Sequence, residues 1–567
     1  DVLAKKMRMA GDAPPARVAN LLDAFKRRTH DVHELFSNLF VDVADQESAR
    51  RTLREGMARR VLETRFSPAL MKEFRFHDPD RAHRFLKTLR DGPPTAPASE
   101  KSVSLFFEVL PSILELCAQA PDPNGAVENL VRFIEASQAR EMFLRLFSEN
   151  GKVLELLLNL FGSGEVLPSI LIKQPNLMDV LMNAESLYRF KTSMQMEQEA
   201  ETLLADCAGK EGHAVPLRRF KQAEELRIGV RYLIRETGLV ETMADLSALA
   251  ELYLKLALRF ATEDVLREKA FACGLDRFAI IAMGKLGGKE LNFGSDLDLI
   301  FVYEEEEGHG DLVSGYSAIS RKVVQYCSVM TPAGYAYKVD TDLRPEGSRG
   351  MLVLSLQGFT DYFKTRGRIW EQQAMTRARW VAGNQDLGER FLQVAHAFAY
   401  RPKLDYGSLI EIARLRERME KELAQEAQKG KNVKLGAGGI ADIEFTVQIL
   451  QLMQGKRYPQ LRQTNTLEVL SRAAQLSLMD GSEARQLSES YLFLRNLECA
   501  LRLRSERMGN HLPVDGEMLA ALARMVGYRE DGAKALGDAL MRDYERVTVL
   551  VRALFRKTVD VHLRMAQ

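Results

Sequence analysis

Apolar residues recur at helical spacing over most of the chain. Clear examples are GKVLELLLNLF (151–161) and LSALAELYLKLALRFA (246–261), each apolar on one side. After about residue 386 the pattern again predicts helices, over 386–400, 406–428, 440–454, 463–476, 481–508, 515–526 and 532–562. The segment RDGPPTAPASEKS (90–102) interrupts the early helices with three prolines and predicts a domain boundary.

The apolar period changes between residues 273 and 356. RFAIIAMG (277–284), LDLIFVY (297–303) and YAYKVD (335–340) are short runs rich in Ile, Val, Phe and Tyr, and they predict strands. A helix is predicted between the second and third strands, over 313–330. The pattern therefore predicts a mostly α protein with one small mixed sheet, flanked by helices, and helical domains before and after it.

Composition narrows the classes of protein. The chain has 567 residues, too many for one hydrophobic core, and a formal net charge of +1. A protein that binds nucleic acid mainly by its phosphates usually has a basic excess, so no nucleic-acid partner is expected. There is no signal peptide and no uncharged apolar stretch of membrane length, so we expect a cytoplasmic protein without a membrane partner. Scattered cysteines without a CxxC pair favour reduced core thiols: Cys117, Cys207, Cys273, Cys327 and Cys499.

The stretch GKLGGKELNFGSDLDLIF (284–301) carries the first chemical signal. In a strand, Asp296 and Asp298 point to the same face, and two adjacent carboxylates repel each other unless a cation lies between them. Mg²⁺ suits such oxygen ligands where phosphates complete its shell. The preceding glycines, with Lys285 and Ser295, suit a nucleoside triphosphate. Taken alone, the motif is read more readily as a polar strand end after a turn.

A third acid favours the metal-site interpretation over the polar strand end. Asp340 ends another predicted strand, within KVDTDLRPEG. Three carboxylates from two strands are typical of two-metal phosphoryl or nucleotidyl transfer.

These motifs resemble a known family. GKLGGKELNFGSDLDLIF, followed by VDTDLRPEG (339–347), WEQQAMTRARWVAG (370–383) and KLGAGGIADIEFTVQ (434–448), closely resembles the glutamine synthetase adenylyltransferases, within the DNA-polymerase-β-like nucleotidyltransferase superfamily. LRRFKQAEELRI (217–228) is also similar to that family, and the resemblance runs over most of residues 100–567. It implies an α/β nucleotidyltransferase core inside the helical chain.

The resemblance also implies roles for individual residues. Asp296, Asp298 and Asp340 would be the catalytic acids and bind two Mg²⁺ ions. The implied nucleotide-binding residues are Gly284, Lys285, Gly294, Ser295, Arg344, Arg377 and Arg379. Gly438, Gly439, Asp442 and Glu444 would form a second signature beside the active site.

Several alternatives stay open at the level of sequence. Asp342 lies two residues after Asp340 and competes with it as the third metal ligand. The arginines Arg377 and Arg379 also fit a solvated basic edge. Asp442 and Glu444 also fit the start of a helix, where acids favour the positive end of the dipole. The family commonly has a basic residue at position 342 and a small one at 346, where this chain has Asp and Glu.

Domain limits follow from the breaks in pattern. We expect a helical linker at 1–95, a helical domain at 96–270, the catalytic core at 271–400 and a C-terminal helical bundle at 401–567. Two ordered matches, LAKKMRMAG (3–11) with LAALARMVG (519–527) and FKRRTHDVHELF (25–36) with YERVTVLVRALF (544–555), favour an internal repeat. The linker would then be the tail of a preceding half.

The function implied by the resemblance is transfer of AMP from ATP to a tyrosine of glutamine synthetase, with the PII signal protein and glutamine as regulators. The repeat and the flanking motifs favour this adenylylating half of the family. The alternative is the adenylyl-removing half, which releases ADP by phosphorolysis. A non-catalytic nucleotide-sensing module is disfavoured by the three acids, and an RNA-tailing enzyme by the missing basic excess.

Overall fold

The structure is a computed structural model that describes residues 68–566 except 184–186, 189–190, 207–212, 269–273, 306–311, 332–333, 402–403, 506–508 and 531. The expectations for the linker before residue 68, the internal repeat, Cys207 and Cys273 lie outside the described residues. The other three cysteines are buried free thiols.

Helices dominate, as the apolar periodicity predicts. Those before the sheet are α1 (Pro68–Glu73), α2 (Pro79–Asp91), α3 (Glu100–Gln119), α4 (Pro123–Ser137), α5 (Arg140–Glu149), α6 (Gly151–Phe161), α7 (Val166–Lys173), α8 (Met178–Met182), α9 (Ser193–Asp206), α10 (Ala214–Leu233) and α11 (Leu239–Glu268). Those within the sheet region are α12 (Gly284–Gly287), α13 (Leu312–Ser328), α14 (Leu356–Thr365) and α15 (Ile369–Met375). Those after it are α16 (Gln385–Ala399), α17 (Tyr406–Arg418), α18 (Glu426–Lys429), α19 (Ile440–Gln454), α20 (Thr466–Gln475), α21 (Gly481–Arg504), α22 (Gly516–Met525) and α23 (Ala533–Ala566).

One helix is long and apolar enough, by length and composition alone, to span a membrane. In the part of the chain described, this is α3. Its residues Phe106, Leu110 and Leu114 are fully buried in the helical core. The helix therefore packs as an internal element of the fold.

The sheet has five strands in the described residues: β1 (Phe278–Ala282), β2 (Leu297–Tyr303), β3 (Val339–Asp340), β4 (Val353–Ser355) and β5 (Arg379–Gly383). Strand β1 lies at the centre and pairs antiparallel with β2 and β5. Strands β3 and β4 both pair parallel with β2, β3 at its beginning and β4 at its end. The predicted mixed sheet flanked by helices is confirmed.

Both faces of the sheet are buried. On one face Leu297, Leu299 and Phe301 join the large core formed with the helices before the sheet. On the other face Ile300 and Val302 join a second core, built from α14 to α17 and α19. Because the strand alternates, Asp298, the second residue of β2, lies on the second face, before Ile300 and Val302.

Three details differ from the predicted elements. The run at 335–340 forms a strand only at Val339–Asp340, because the backbone N–H groups of Ala336 and Tyr337 both donate to the carbonyl of Cys327 in α13 instead of to a neighbouring strand. The helix predicted over 406–428 ends at Arg418, continues as a π-helical turn over Met419–Leu423 and resumes only as α18. Strands β4 and β5 have no counterpart among the predicted strands.

Candidate active site

Two of the predicted acids lie side by side. In the parallel pair of β2 and β3, Asp298 is the register partner of Asp340, directly after Leu297 and Val339. The backbone N–H of Leu297 donates to the carbonyl of Lys338 at 2.9 Å, which fixes this register. Asp296 precedes β2 and is exposed. The sheet thus brings carboxylates from two separate motifs to one edge.

The carboxylates interact electrostatically. Burial and then the charge of Asp340 raise the pKa of Asp298 to about 6, and Asp296 contributes in the same direction. Mutual repulsion of this kind is relieved by a cation. The site therefore has the electrostatic character expected of a cation-binding carboxylate cluster.

Gly284 is required by the packing of this cluster. It has φ +53°, and a Cβ at this position would collide with Oδ2 of Asp298. The turn between β1 and α12 can thus lie directly against the carboxylate only with glycine.

The donor set suits Mg²⁺ bound together with phosphates. Among the residues that the structure describes, no group of three or more His, Cys, Asp or Glu is arranged to hold a metal ion by itself. Mg²⁺ is usually held by one or two carboxylates, with water and substrate phosphates completing the octahedron. Asp298 and Asp340 satisfy that requirement, and both are hard oxygen donors.

Asp342 occupies a different position from Asp340. It follows the end of β3, it is exposed, and its backbone N–H donates to Oδ1 of Asp340 at 2.7 Å. Its carboxylate lies 3.4 Å from Nη1 of Arg344. The alternation rule that would place Asp342 beside Asp340 therefore does not apply, because the strand has ended.

Lys285 lies in a buried ion network. This network consists of the ion-paired residues Lys285, Glu290, Arg377 and Glu444, together with Arg495, which donates to the backbone carbonyl of Glu290 at 2.7 Å. Nζ of Lys285 donates to Oε1 of Glu444, and Nη2 of Arg377 lies 3.2 Å from the same oxygen. Burial opposes ionisation of Glu444, but Lys285 and Arg377 outweigh it and lower its pKa to about 2. The lysine predicted to line the triphosphate site is thus held by a carboxylate.

Arg377 was expected either on a solvated edge or in contact with ligand. The solvated edge is wrong, because Arg377 is buried, pairs with Glu290 and donates from Nη2 to Oγ1 of Thr466 at 2.7 Å. These partners come from the loop after α12 and from α20. The buried ion network therefore joins the sheet region to the C-terminal helices, and contact of Arg377 with a nucleotide stays a prediction.

Arg379 supports the glycine turn. Its Nε donates to the carbonyl of Gly287 at 2.9 Å, and its Nη2 donates to the carbonyl of Leu286 at 2.8 Å and to Glu251 at 2.6 Å. It thus ties the end of α12 to α11.

Arg344 performs a similar task in the loop after β3. Its Nη1 donates to the carbonyl and to Oγ1 of Thr341, both at 2.7 Å. Arg344 therefore stabilises the loop that follows Asp340.

Gly294 and Ser295 form the turn directly before Asp296. Oγ of Ser295 accepts from the N–H of Asn292 at 3.1 Å, and the carbonyl of Gly294 accepts from Arg502 at 2.8 Å. Both residues thus shape the approach to the carboxylates, and phosphate contact by Ser295 stays a prediction.

The two acids of the second signature, Asp442 and Glu444, have different partners. Glu444 belongs to the buried ion network next to Gly284. Asp442 is fully buried in the first turn of α19, where it pairs with Arg416 at 2.5 Å and Arg552 at 3.1 Å and accepts from the N–H of Gly438 at 2.8 Å. The oxygens of Asp442 thus bind arginines of helices α17 and α23, and a role of Asp442 in the active site stays a prediction.

Lys434 is a basic residue that the sequence reasoning did not select. It is half-buried, its N–H donates to Oδ1 of Asn432 at 3.0 Å, and it exerts a larger electrostatic effect on Asp298 than Asp296 does. Within the described part of the chain, its ammonium has no hydrogen-bond or ion-pair partner. The sequence does offer one signal for its selection, since Lys434 lies directly before the glycine-rich turn of KLGAGG.

Comparison with known proteins gives two regions of similarity. Residues 154–394 match the family described as Glutamate-ammonia ligase adenylyltransferase, and residues 411–559 match the family described as GlnD PII-uridylyltransferase.

Curated relatives carry one printed name, bifunctional glutamine synthetase adenylyltransferase/adenylyl-removing enzyme. The protein from Streptomyces avermitilis is 32% identical over 515 residues, covering 87% of this chain and 50% of that protein. The protein from Chromobacterium violaceum is 32% identical over 508 residues, covering 89% and 55%. The protein from Hahella chejuensis is 35% identical over 327 residues, covering 56% and 34%. The chain thus spans about half the length of the first two relatives.

Proposed function

The chain carries, at residues 154–394, a domain of the glutamate-ammonia ligase adenylyltransferase family, and from this premise we propose that it transfers AMP from ATP to a tyrosine hydroxyl of glutamine synthetase. The observation that supports this most directly is the pairing of Asp298 with Asp340 beside Gly284, inside the matched region. The relatives' printed name includes glutamine synthetase adenylyltransferase, which supports the coarser part of this proposal.

The reaction is a displacement at the α-phosphorus of ATP. The tyrosine oxygen forms a bond to that phosphorus, the bond to the β-phosphate oxygen breaks, and pyrophosphate leaves. The hydroxyl proton passes to water. Catalysis of this kind depends on positioning and on stabilising charge rather than on a protein nucleophile.

Asp296, Asp298 and Asp340 would hold two Mg²⁺ ions, which when bound would favour loss of the tyrosine proton and offset the charge of the departing pyrophosphate. The protein's own part is to keep these acids in register. The hydrogen bond from Leu297 to Lys338 and the close packing of Gly284 do this. Lys434 supplies a cation near the same carboxylates, where phosphate oxygens would lie.

Partners of the chain are proposals from the same resemblance. Glutamine synthetase is the protein substrate, and the PII signal protein and glutamine act as regulators. The printed name of the family matched at residues 411–559 includes PII, which supports the first of these regulators.

The test compares two reactions of the 567-residue chain. With unmodified glutamine synthetase, labelled ATP and Mg²⁺, we expect label on a tyrosine and release of pyrophosphate. With adenylylated glutamine synthetase and phosphate, we expect little ADP. Phosphate-dependent ADP release without incorporation of label would assign the chain to the adenylyl-removing reaction, which the relatives' printed name also includes.

Variants connect this activity to the carboxylates. Asp298→Asn and Asp340→Asn should each lower transfer by about 100-fold or more, since each removes charge at the developing transition state. Asp342→Asn is the matched control and should retain most activity, because its side chain is exposed and points into the loop of Arg344. If Asp342→Asn were the inactive variant while Asp340→Asn kept wild-type activity, the assignment of Asp340 would be wrong.

A further inference from the structure

A cavity lies next to the beginnings of β2 and β3, the two strands that carry the acids. It has a volume of about 240 Å³ and lies between α7, α10, the turn at 291–295, the segment before β3 and α21. Ser295 and Lys338, which are the residues directly before Asp296 and Val339, both line it. An occupant of this cavity would therefore contact the beginnings of both strands that bear the carboxylates.

The cavity lies on the opposite face of β2 from Asp298. Its apolar lining includes Leu246, Leu291 and Tyr337, which belong to the core shared with Leu297 and Leu299 of β2. Asp298 alternates with those leucines and shares the opposite face with Ile300 and Val302. Asp298 therefore points away from the cavity, whereas Gly294 and Ser295, whose implied role is nucleotide binding, belong to its lining.

The lining is strongly basic. Lys173, Lys221, Lys338 and Arg502 face a single lining carboxylate, Glu225. Lys221 and Glu225 pair with each other at 2.6 Å, so they leave the other three cations uncompensated within the lining.

Two of the remaining three cations are fully available for a ligand. Lys173 and Lys338 are exposed, and neither has a carboxylate partner among the described residues. Lys338 lies over the ring of Tyr335 at 6.0 Å. Arg502 donates to the carbonyl of Gly294 at 2.8 Å, lies 3.7 Å from Glu498, and has a buried Nε without a hydrogen-bond partner. Glu498 is itself paired with Arg495 at 3.0 Å, so it compensates Arg502 only in part.

Polar groups line the cavity beside these cations. Ser169, Gln222 and Asn292 place hydroxyl and amide groups at its wall. Two ammonium groups without carboxylate partners can bind the two carboxylates of one ligand or the oxygens of a phosphate monoester. The hydroxyl of Ser169 already donates to the carbonyl of Val166 at 2.8 Å, and the amide of Asn292 already lies 3.4 Å from Glu498, so an apolar ligand would leave the lysines, not these groups, uncompensated.

We propose that this cavity binds a small dianion, a dicarboxylate or a phosphate monoester, and that its occupancy adjusts the carboxylates of Asp296, Asp298 and Asp340 through the two strand ends. Binding itself is independent of the proposed function, and the effect on catalysis rests on it. The two chemical sources share one recognition pattern, so the experiment includes both.

The test measures binding of glutarate and, separately, of glycerol 3-phosphate to the 567-residue chain by titration calorimetry. We expect at least one of them to bind, and Lys173→Gln/Lys338→Gln to bind it about tenfold or more weakly, because two charge-assisted contacts are lost. Lys255→Gln is the matched control, since Lys255 is an exposed lysine of α11 outside the cavity lining. Failure of both ligands to bind, or equal binding by the double variant, would overturn the proposal.

Two further measurements separate this site from the proposed active site. Asp298→Asn should bind the anion as the wild-type chain does while losing AMP transfer. Metal-free ATP should not displace the anion, and displacement would show that the cavity belongs to the nucleotide site and overturn its independence.

The effect on catalysis has its own test. Saturating anion should change the wild-type rate of AMP transfer at least twofold, and an unchanged rate would refute the proposed effect of the anion on catalysis. If the anion binds and no AMP transfer is found, the proposed function fails and the binding site stands.

Discussion

Lys434 illustrates how one residue can complete a site built by another part of the chain. The carboxylates come from the sheet, whereas Lys434 comes from the turn before α19. Lys285 is paired with Glu444, and its contact with the triphosphate stays a prediction. Lys434 is half-buried and unpaired within the described residues, and it acts electrostatically on Asp298. It is therefore the better candidate for contact with the nucleotide's phosphates.

Lys434→Ala should lower kcat/KM for ATP by about 10- to 100-fold, the range for loss of a hydrogen bond to a charged group. Lys434→Arg should recover part of the loss, since it restores the charge. Lys431→Ala is the matched control, because Lys431 is an exposed lysine of the same turn, and it should stay within about twofold of wild type. Steady-state kinetics at varied ATP, with melting curves to verify folding, would check this. Equal losses in the two alanine variants would contradict it.

The sequence allowed the proximity of the acids to be predicted, because alternation in a strand and parallel strand ends are local rules. It did not allow the partners of Lys285 and Arg377 to be predicted. Glu444 lies 159 residues beyond Lys285, and Glu290 lies 87 residues before Arg377. A lysine after a glycine turn has the same local pattern whether it meets a phosphate or a distant carboxylate.

The start of α19 shows how a glycine signature can serve packing between elements. A Cβ at Gly438, which has φ +72°, would collide with the carbonyl of Thr548, so glycine permits α19 to begin directly against α23. Asp442 in the first turn then ion-pairs with Arg416 of α17 and Arg552 of α23. This signature thus locks three helices together, and only Glu444 extends towards the carboxylates.

Asp442→Asn should destabilise the C-terminal helices by about 3–5 kcal/mol, because the fully buried Arg416 then keeps only the longer ion pair with Glu420, at 3.5 Å. Glu417→Gln is the matched control, since Glu417 directly follows Arg416 in α17 and makes an exposed pair with Lys421, so this variant should hardly change the melting profile. Calorimetric melting would measure both variants. A variant Asp442→Asn that melted normally but lost AMP transfer would show that Asp442 acts in the active site.

Strand prediction succeeded where a buried apolar run was bounded by glycine. The bounds of β2 coincide with the predicted 297–303, and β1 lies within 277–284. Strand β5 was missed because its sequence, RWVAG, contains a single β-branched residue and begins with an arginine. It becomes a strand by pairing with β1, 97 residues or more earlier in the chain, which no local pattern records.

The two matched regions share hydrophobic cores and ion pairs. Phe445, Ile449 and Phe555 pack in one core with Ile281 of β1 and Ile300 of β2. The buried ion network crosses between the same parts of the chain. The limits near residues 270 and 400 therefore stay predictions, and the sheet edge that carries the acids is supported from both sides.

Limited proteolysis tests the remaining boundary, the proline-rich segment at 90–102. Residues 92–99 form a largely exposed loop between α2 and α3, with only a few backbone hydrogen bonds, such as that from Ala98 N–H to the carbonyl of Asp91 at 2.8 Å. Exposed and poorly hydrogen-bonded backbone is cut first, so thermolysin or proteinase K should cleave here well before β1 and β2.

The two fragments should nevertheless stay together. Leu86 and Leu89 of α2 and Phe106 and Leu110 of α3 belong to one core, so a cut in the loop leaves that core intact. Gel filtration of the nicked protein should therefore give a single peak that contains both fragments. Separation of the fragments would show that the loop joins two independently folded units, as the proline pattern predicts. First cuts inside 278–303 with an intact loop would contradict both the exposed position of the loop and the buried position of the strands.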